Sequence, residues 1–382
     1  MSPAMVGAAA EASDDESQFQ KGVKHLCEKA ISRVPGKYIL PVHERPGRAA
    51  IGNDAARVDE GRKLMSLPMV DFAELRSSSD RPRALKSLAE ACEQYGFFQV
   101  VNHGIPEEVI GGMIDASTRF FGQPYEERAR YMSSDMTSPV RYGTSFNQSK
   151  DKVFCWRDFL KITCEPMPQV LPHWPSSPPD MRNVVALYAK ETKCLFLKIM
   201  EAILESLGLP LPATGRGSVC EDGGIMTQFE EGSQLMVSNF YPPCPEPELT
   251  LGMPPHSDYG FLTLLLQDRV PGLQILHGDN WVTVKPILGS FVVNVGDHLE
   301  IFSNGRYKSV LHRVLVNSTE SRISVATLHS LPKECTVSPA PELVDEANPR
   351  RYMDTDFASF LAYISSCEPK KKNFLESRKL LS

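Results

Sequence analysis

The chain has 382 residues, of which 42% are hydrophobic and 23% charged, ordinary values for a globular chain. Forty-one Lys plus Arg against 47 Asp plus Glu give a net charge of −6, which argues against general nucleic-acid binding because that needs a basic face. No stretch approaches the roughly 20 apolar residues of a membrane span, residues 1–20 lack the basic start of a secretory signal, and the nine cysteines form no CxxC pair, which points away from a zinc site or disulfide framework and toward a reduced, cytoplasmic setting.

Residues 1–20 are small and acidic and predict a disordered lead. A short amphipathic helix is expected over 22–34, with Val23, Leu26, Ala30 and Ile31 on one stripe. Pro35, Pro41 and Pro46 then demand extended chain. A compact unit follows. It holds a strand over 68–72, a helix opened by Asp80 and Pro82 and ended by Gly96, a strand over 97–101 and a helix from Pro106 to about Phe121. A long helix is expected over 181–207, with Val184, Leu187, Tyr188, Leu195, Ile199, Ile203 and Leu207 on its apolar side. After Gly215 the texture changes to short strand-like runs at 235–241, 261–266, 273–276, 281–284, 291–295, 310–316 and 323–328. Their close spacing and Gly, Pro and Asn punctuation indicate a barrel or double-sheet jelly roll. Helical signal returns over 354–366.

Three residues carry chemistry. His256 and Asp258 flank Ser257, and on extended chain they share one face because side chains alternate. His312 arrives from a later strand. Two imidazoles and one carboxylate on one face suit Fe(II) and leave adjacent coordination positions open. Singly, each is weak: His-x-Asp is a common pair, and His312 alone reads equally as a core or surface histidine. His25, His43, His103, His173 and His277 carry no such pattern and read as structural or surface groups. Arg322 and Ser324 lie two apart, so they share a strand side. An inward Arg is costly unless it meets an anion, and its planar fork matches a carboxylate. A surface Arg in an ordinary salt bridge is the plain alternative.

Together with Asn239-Phe240-Tyr241-Pro242-Pro243-Cys244-Pro245, Asn294-Val295-Gly296-Asp297, residues 303–310 and residues 96–104, these positions resemble the plant-type Fe(II)- and 2-oxoglutarate-dependent dioxygenases over about residues 20–365. Residues 144–147, Trp156-Arg157-Asp158 and residues 242–250 are similar to the clade of flavone synthases and salicylate hydroxylases related to downy-mildew-resistance enzymes. The resemblance implies an α+β protein with a double-stranded β-helix (jelly-roll) core, a helical N-terminal domain and flanking helices. Its expected divisions are a disordered lead at 1–20, an N-terminal domain at 21–215, a catalytic jelly roll at 216–335 and a C-terminal helical segment and tail at 336–382. It implies Fe(II) on His256, Asp258 and His312, and 2-oxoglutarate with its far carboxylate on Arg322 and Ser324. Asn239 and Tyr241 would line that pocket, and ascorbate would serve as reductant. The implied reaction hydroxylates or desaturates a small aromatic or hormone-like molecule of secondary metabolism while 2-oxoglutarate becomes succinate and CO2. Asp297 is expected to shape a tight turn.

Candidate substrate contacts are Tyr142, Phe146, Phe159, Lys161, Leu328 and Ser330. Tyr142 and Phe146 lie in a Gly/Ser/Asn-rich segment able to cover the barrel mouth. Lys161 could meet an acidic substrate or stay solvated. If Leu328 points in, His329 points away. Flavonoid-acting members of the family usually carry an aromatic where Leu328 stands, and Leu gives no stacking platform. Two other readings stay open: an aminocyclopropane-carboxylate oxidase-like iron oxidase that does not use 2-oxoglutarate, and a non-catalytic small-molecule-binding barrel. Neither nucleic acid nor membrane is an expected partner.

Overall fold

The computed structural model describes residues 21–47, 64–145, 151–210, 224–366 and 374–380, so the expected disordered lead and Phe146 lie outside the described residues. The chain is α+β, as the sequence predicts. Its strands are β1 (Met69–Asp71), β2 (Phe97–Val101), β3 (Val140–Gly143), β4 (Asp158–Thr163), β5 (Gln234–Tyr241), β6 (Met253–His256), β7 (Leu262–Gln267), β8 (Leu273–His277), β9 (Asn280–Thr283), β10 (Phe291–Val295), β11 (His312–Val314) and β12 (Arg322–His329). They form an eight-stranded sheet, β1-β2-β10-β7-β12-β5-β4-β3, and a four-stranded sheet, β6-β11-β8-β9.

Register gives the larger sheet two distinct faces. Arg322 lies opposite Tyr241, Ser324 opposite Asn239 and Leu328 opposite Leu235. Phe159 lies opposite Asn239 and Lys161 opposite Val237. Alternation puts all of these on one face. The other face carries Phe98, Leu160, Met236, Leu264, Val293 and Val325, all fully buried in the main core. That core is completed by the helix Met181–Ser206.

The long helix forms where periodicity places it, with Tyr188, Leu195, Ile199, Ile203 and Leu207 of the expected stripe buried, Val184 half-buried and Leu187 turned outward. Its buried stripe runs through Met181, Val185, Tyr188, Thr192, Leu195 and Ile199, while Leu187 is 47% exposed. The run Val184-Val185-Ala186-Leu187 is apolar all round, so hydropathy alone could not choose the inward side; packing on the sheet chooses it. The first helix is shorter than expected. It covers only Val23–Glu28, after which Ala30 takes a positive φ of 50°. The strand expected over 310–316 is confined to His312–Val314. β3 and β4 were not anticipated. In β4 the core-facing positions are Asp158, Leu160 and Ile162, and an aspartate at a core position hides the alternation that would have marked a strand.

Candidate metal centre

The smaller sheet faces the Arg322 face of the larger one. Phe97, Leu265 and Val292 from the larger sheet pack with Leu273, Ile275 and Val284 and close one end of the space between them. In the smaller sheet His312 sits directly opposite His256. Their rings lie 4.1 Å apart, and Phe97 meets the His312 ring edge-on at 5.5 Å.

Asp258 completes the group. Its Oδ1 is 3.8 Å from His256 Nε2 and 3.7 Å from His312 Nε2. Both separations exceed a hydrogen bond, and all three donor atoms fall within 4.8 Å of one another. Such a spread fits a shared cation with bonds of about 2.0–2.2 Å better than direct contact.

The surroundings prepare each donor. His256 Nδ1 donates to the Pro254 carbonyl at 2.9 Å, and His312 Nδ1 to the Val310 carbonyl at 3.3 Å. A carbonyl only accepts, so the ring protons sit on Nδ1 and the Nε2 lone pairs are free. Burial, followed by the neighbouring His312, lowers the His256 imidazole below its ordinary value. Burial alone would raise the Asp258 carboxyl, but His312, His256 and the Asn294 amide hold it below its ordinary value. Asn294 Nδ2 donates to Oδ2 at 2.9 Å, leaving Oδ1 for the imidazole side. Neutral imidazoles and a charged carboxylate are the states a divalent metal requires.

The loop between the donors is pinned from behind. Ser257 Oγ donates to Asp297 Oδ2 at 3.2 Å, Ser309 Oγ donates to Oδ1 at 2.7 Å, and the Asp297 N–H donates to the Asp258 carbonyl at 2.8 Å. Asp297 also opens the helix Asp297–Phe302, a larger part than the expected turn. Gly296 before it is required by close approach: a Cβ there would stand 2.1 Å from the Gly260 carbonyl oxygen.

Across the same space Arg322 is 2% exposed. Nε donates to the Val270 carbonyl at 3.1 Å, Nη1 to Ser324 Oγ at 3.2 Å and Nη2 to Gln267 Oε1 at 2.9 Å. Its guanidinium lies 5.2 Å from the Tyr241 ring centre. Every partner is neutral, and among the described residues it makes no ion pair. A buried cation in that state is a receptor for an anion. Gly272 makes room for it, since a Cβ there would lie 3.0 Å from Arg322 Cδ.

Phe159, Lys161 and Leu328 share the face of Arg322 and Ser324. Lys161 Nζ donates to the Met136 carbonyl at 2.7 Å, and burial, then Arg141, lowers its ammonium to about 8. Asn239 accepts from Arg157 Nη1 at 2.8 Å. His329 turns away and stacks on Phe196 at 4.4 Å, as alternation requires once Leu328 points in. Two expected contacts stand elsewhere. Tyr142 pairs with Leu160, not Phe159, so its side chain enters the opposite face. There its hydroxyl donates to Asp158 Oδ2 at 2.6 Å and accepts from Arg128 at 2.7 Å. Ser330 follows the end of β12 and is bonded to the His298 ring at 2.8 Å. Sequence reasoning gave no role to Asn294 or Arg157. For Asn294 the available signal was its place two residues before Gly296 on an inward-facing strand.

Known proteins match in both parts of the chain. The family described as the 2OG-Fe(II) oxygenase superfamily matches residues 232–330, and the one described as the non-haem dioxygenase in morphine synthesis N-terminal region matches residues 67–181. DMR6-like oxygenase 1 of Arabidopsis thaliana is 41% identical over 313 residues, 82% of this chain and 84% of that one. Flavanone 3-dioxygenase 2 of Oryza sativa subsp. japonica is 39% identical over 329 residues, covering 86% and 89%. Among solved structures, JOX2 in complex with 2OG, Fe and JA superposes with a TM-score of 0.79 at 32% identity, over 94% of this chain and 98% of that one. Among the described residues no helix is long and apolar enough to cross a membrane.

Proposed function

The chain belongs to the 2OG-Fe(II) oxygenase superfamily, and from that membership we propose that it oxidises a small aromatic or hormone-like plant metabolite with Fe(II) held by His256, Asp258 and His312. In this reading Arg322 and Ser324 bind the far carboxylate of 2-oxoglutarate, and Tyr241 and Asn239 line the space around it. The observation that carries it is the pairing of two features in one cavity: three donors around a cation-sized gap and a buried Arg322 with only neutral partners. When bound, Fe(II) with 2-oxoglutarate and O2 supplies the oxidising power, and 2-oxoglutarate leaves as succinate and CO2. The chain's own residues orient and shield. The Nδ1 bonds to Pro254 and Val310 keep both Nε2 atoms directed inward. Asn294 holds the carboxylate, and the apolar side chains of Phe97, Leu265 and Val292 exclude water at the closed end.

The relatives support the substrate class by their names, which include oxidation of flavanones and, for a rice structure of 27% identity and TM-score 0.68, of auxin. Hydroxylation is the simplest outcome, with desaturation as the variant. We assign residues 21–215 to support, 216–335 to the site and 336–382 to a C-terminal segment, with the cytoplasm as the compartment and ascorbate as reductant. Succinate release by the purified chain with Fe(II), ascorbate and 2-oxoglutarate tests the reading. Release that requires 2-oxoglutarate and rises with a panel of flavanones, coumarins and aromatic acids supports it. Oxidation of a panel member without 2-oxoglutarate would replace it with an iron oxidase of the aminocyclopropane-carboxylate type.

A further inference from the structure

We infer that Arg157 anchors the substrate through a carboxylate, so that the molecule oxidised is an acid with an apolar or aromatic body. The inference rests on the reading above.

Arg157 is 4% exposed. Its Nη1 donates to Asn239 Oδ1 at 2.8 Å on β5 and meets Met253 Sδ at 2.9 Å on β6. The guanidinium therefore spans the gap between the two sheets, three residues along β6 from His256. Nε is buried without a partner, and among the described residues Nη2 has none either. The Nε–Nη2 edge is the edge that takes a carboxylate through two parallel bonds. Phe159 fixes the plane from one side, with its ring 5.1 Å from the Arg157 guanidinium and 5.4 Å from that of Arg141.

Charge balance separates this group from the co-substrate clamp. Among the described residues the buried guanidiniums of Arg322 and Arg157 form no ion pair, and the Asp258 carboxylate is engaged with the histidines. The nearby acids Asp135 and Asp151 act on Arg141. One anion on Arg322 leaves Arg157 unanswered, and a second buried cation needs a second anion. The body of the ligand is indicated by the wall beside it. Leu235, Val237, Ala326 and Leu328 are half-buried on the cavity face, while their neighbours Met236, Val325 and Thr327 on the other face are fully buried. That contrast marks an apolar surface open to a guest.

The test compares acids with their methyl esters. Benzoate, cinnamate and 1-naphthylacetate, each with its ester, are titrated anaerobically against the full chain loaded with Fe(II) and 2-oxoglutarate. At least one acid is expected to bind tenfold or more tighter than its ester. In Arg157→Met that preference should fall below threefold, and Arg157→Lys should restore part of it. Equal binding of acids and esters by the wild type, which needs no variant to fold, would overturn the inference, as would binding of none of the acids. So would a preference that survives in Arg157→Met, or a loss in 2-oxoglutarate affinity with the acid preference intact. Succinate release by the wild type is read in parallel. Its absence would count against the oxygenase reading, while its presence without an acid preference counts against Arg157 alone.

Discussion

Ser257 and Asp297 are 40 residues apart in sequence, yet the Ser257 hydroxyl donates to the Asp297 carboxylate at 3.2 Å, and Asp297 returns a backbone bond to the Asp258 carbonyl at 2.8 Å. The residue between the two adjacent metal donors is thus held by the helix that follows β10. Asp297→Ala removes the acceptor of both Ser257 and Ser309. It is expected to lower stability by about 2–4 kcal/mol, from two hydroxyls left without a buried partner. Metal affinity should fall about 10–100-fold, as for other residues that orient ligands. Mn(II) titration followed by water-proton relaxation measures the second effect, and an unchanged dissociation constant would show that the loop holds itself.

Metal binding should stabilise the fold through His312. A cation present at 100 times its dissociation constant adds about 2.7 kcal/mol, which for a chain of this size raises Tm by roughly 3–4 °C. Thermal unfolding of wild type with and without Mn(II) should show that rise, and EDTA should reverse it. His312→Ala should show little of it. A full shift in the variant would place the cation elsewhere.

Arg322 donates to Ser324, Gln267 and the Val270 carbonyl, and among the described residues it forms no ion pair, although the Asp268 carboxyl lies within its electrostatic reach. Arg322→Lys keeps the charge and loses the fork. It is expected to raise the 2-oxoglutarate KM by about 100-fold, near 3 kcal/mol, in the range for a buried charged contact. Steady-state succinate release over a range of 2-oxoglutarate concentrations decides it, and a KM within threefold of wild type would remove Arg322 from the co-substrate site.

Tyr142 behaves as a structural group. Its hydroxyl joins Asp158 to Arg128, and Asp158 in turn accepts from the Val23 N–H at 2.7 Å. Tyr142→Phe is expected to cost about 1.5–3 kcal/mol, the range for a hydrogen bond to a charged group, and to leave substrate KM unchanged. Urea unfolding and a KM measured on the same preparation separate the two outcomes.

Lys193 lies on the long helix with Nζ on the Gly232 carbonyl at 2.8 Å, and burial lowers its ammonium to about 8. The unfolded value is about 10.4, so between these pH values the unfolded chain binds more protons and the contribution of Lys193 to stability rises with pH. The difference between wild type and Lys193→Met should therefore move in favour of wild type by about 2–3 kcal/mol from pH 7 to pH 10. Buried thiols and tyrosines pull the other way in both proteins and cancel in the difference. A flat difference would mean that Lys193 keeps an ordinary ammonium.

What the sequence revealed depends on how far apart the cooperating residues lie. Arg322 with Ser324 and Leu328 share a strand, and Asp258 lies two residues past His256 at the end of β6, so a short local segment predicts each grouping. Tyr142 could not be sorted from Phe159 and Lys161 in the same way. Its face is decided by the pairing of β3 with β4, Tyr142 against Leu160, and register between strands is not written in either one. Arg157 was missed for a similar reason. Its partners Asn239 and Met253 are 82 and 96 residues away. The exposure of Leu187 on the long helix was hidden because its first turns are apolar on several sides at once.

The order of the larger sheet has a consequence for dissection. β10 is bordered by β2, and β5 by β4, so the first 163 residues cover both flanks of the strands that carry Arg322, Asn239 and Asn294. A fragment starting at 216 would keep His256, Asp258, His312 and Arg322. It would also bare two rows of backbone N–H and C=O groups, along β10 and β5. Raw edges of that kind recruit other chains. The N-terminal segment thus acts as a guard against self-association, and truncations that spare the metal centre are expected to fail by aggregating before they fail as enzymes.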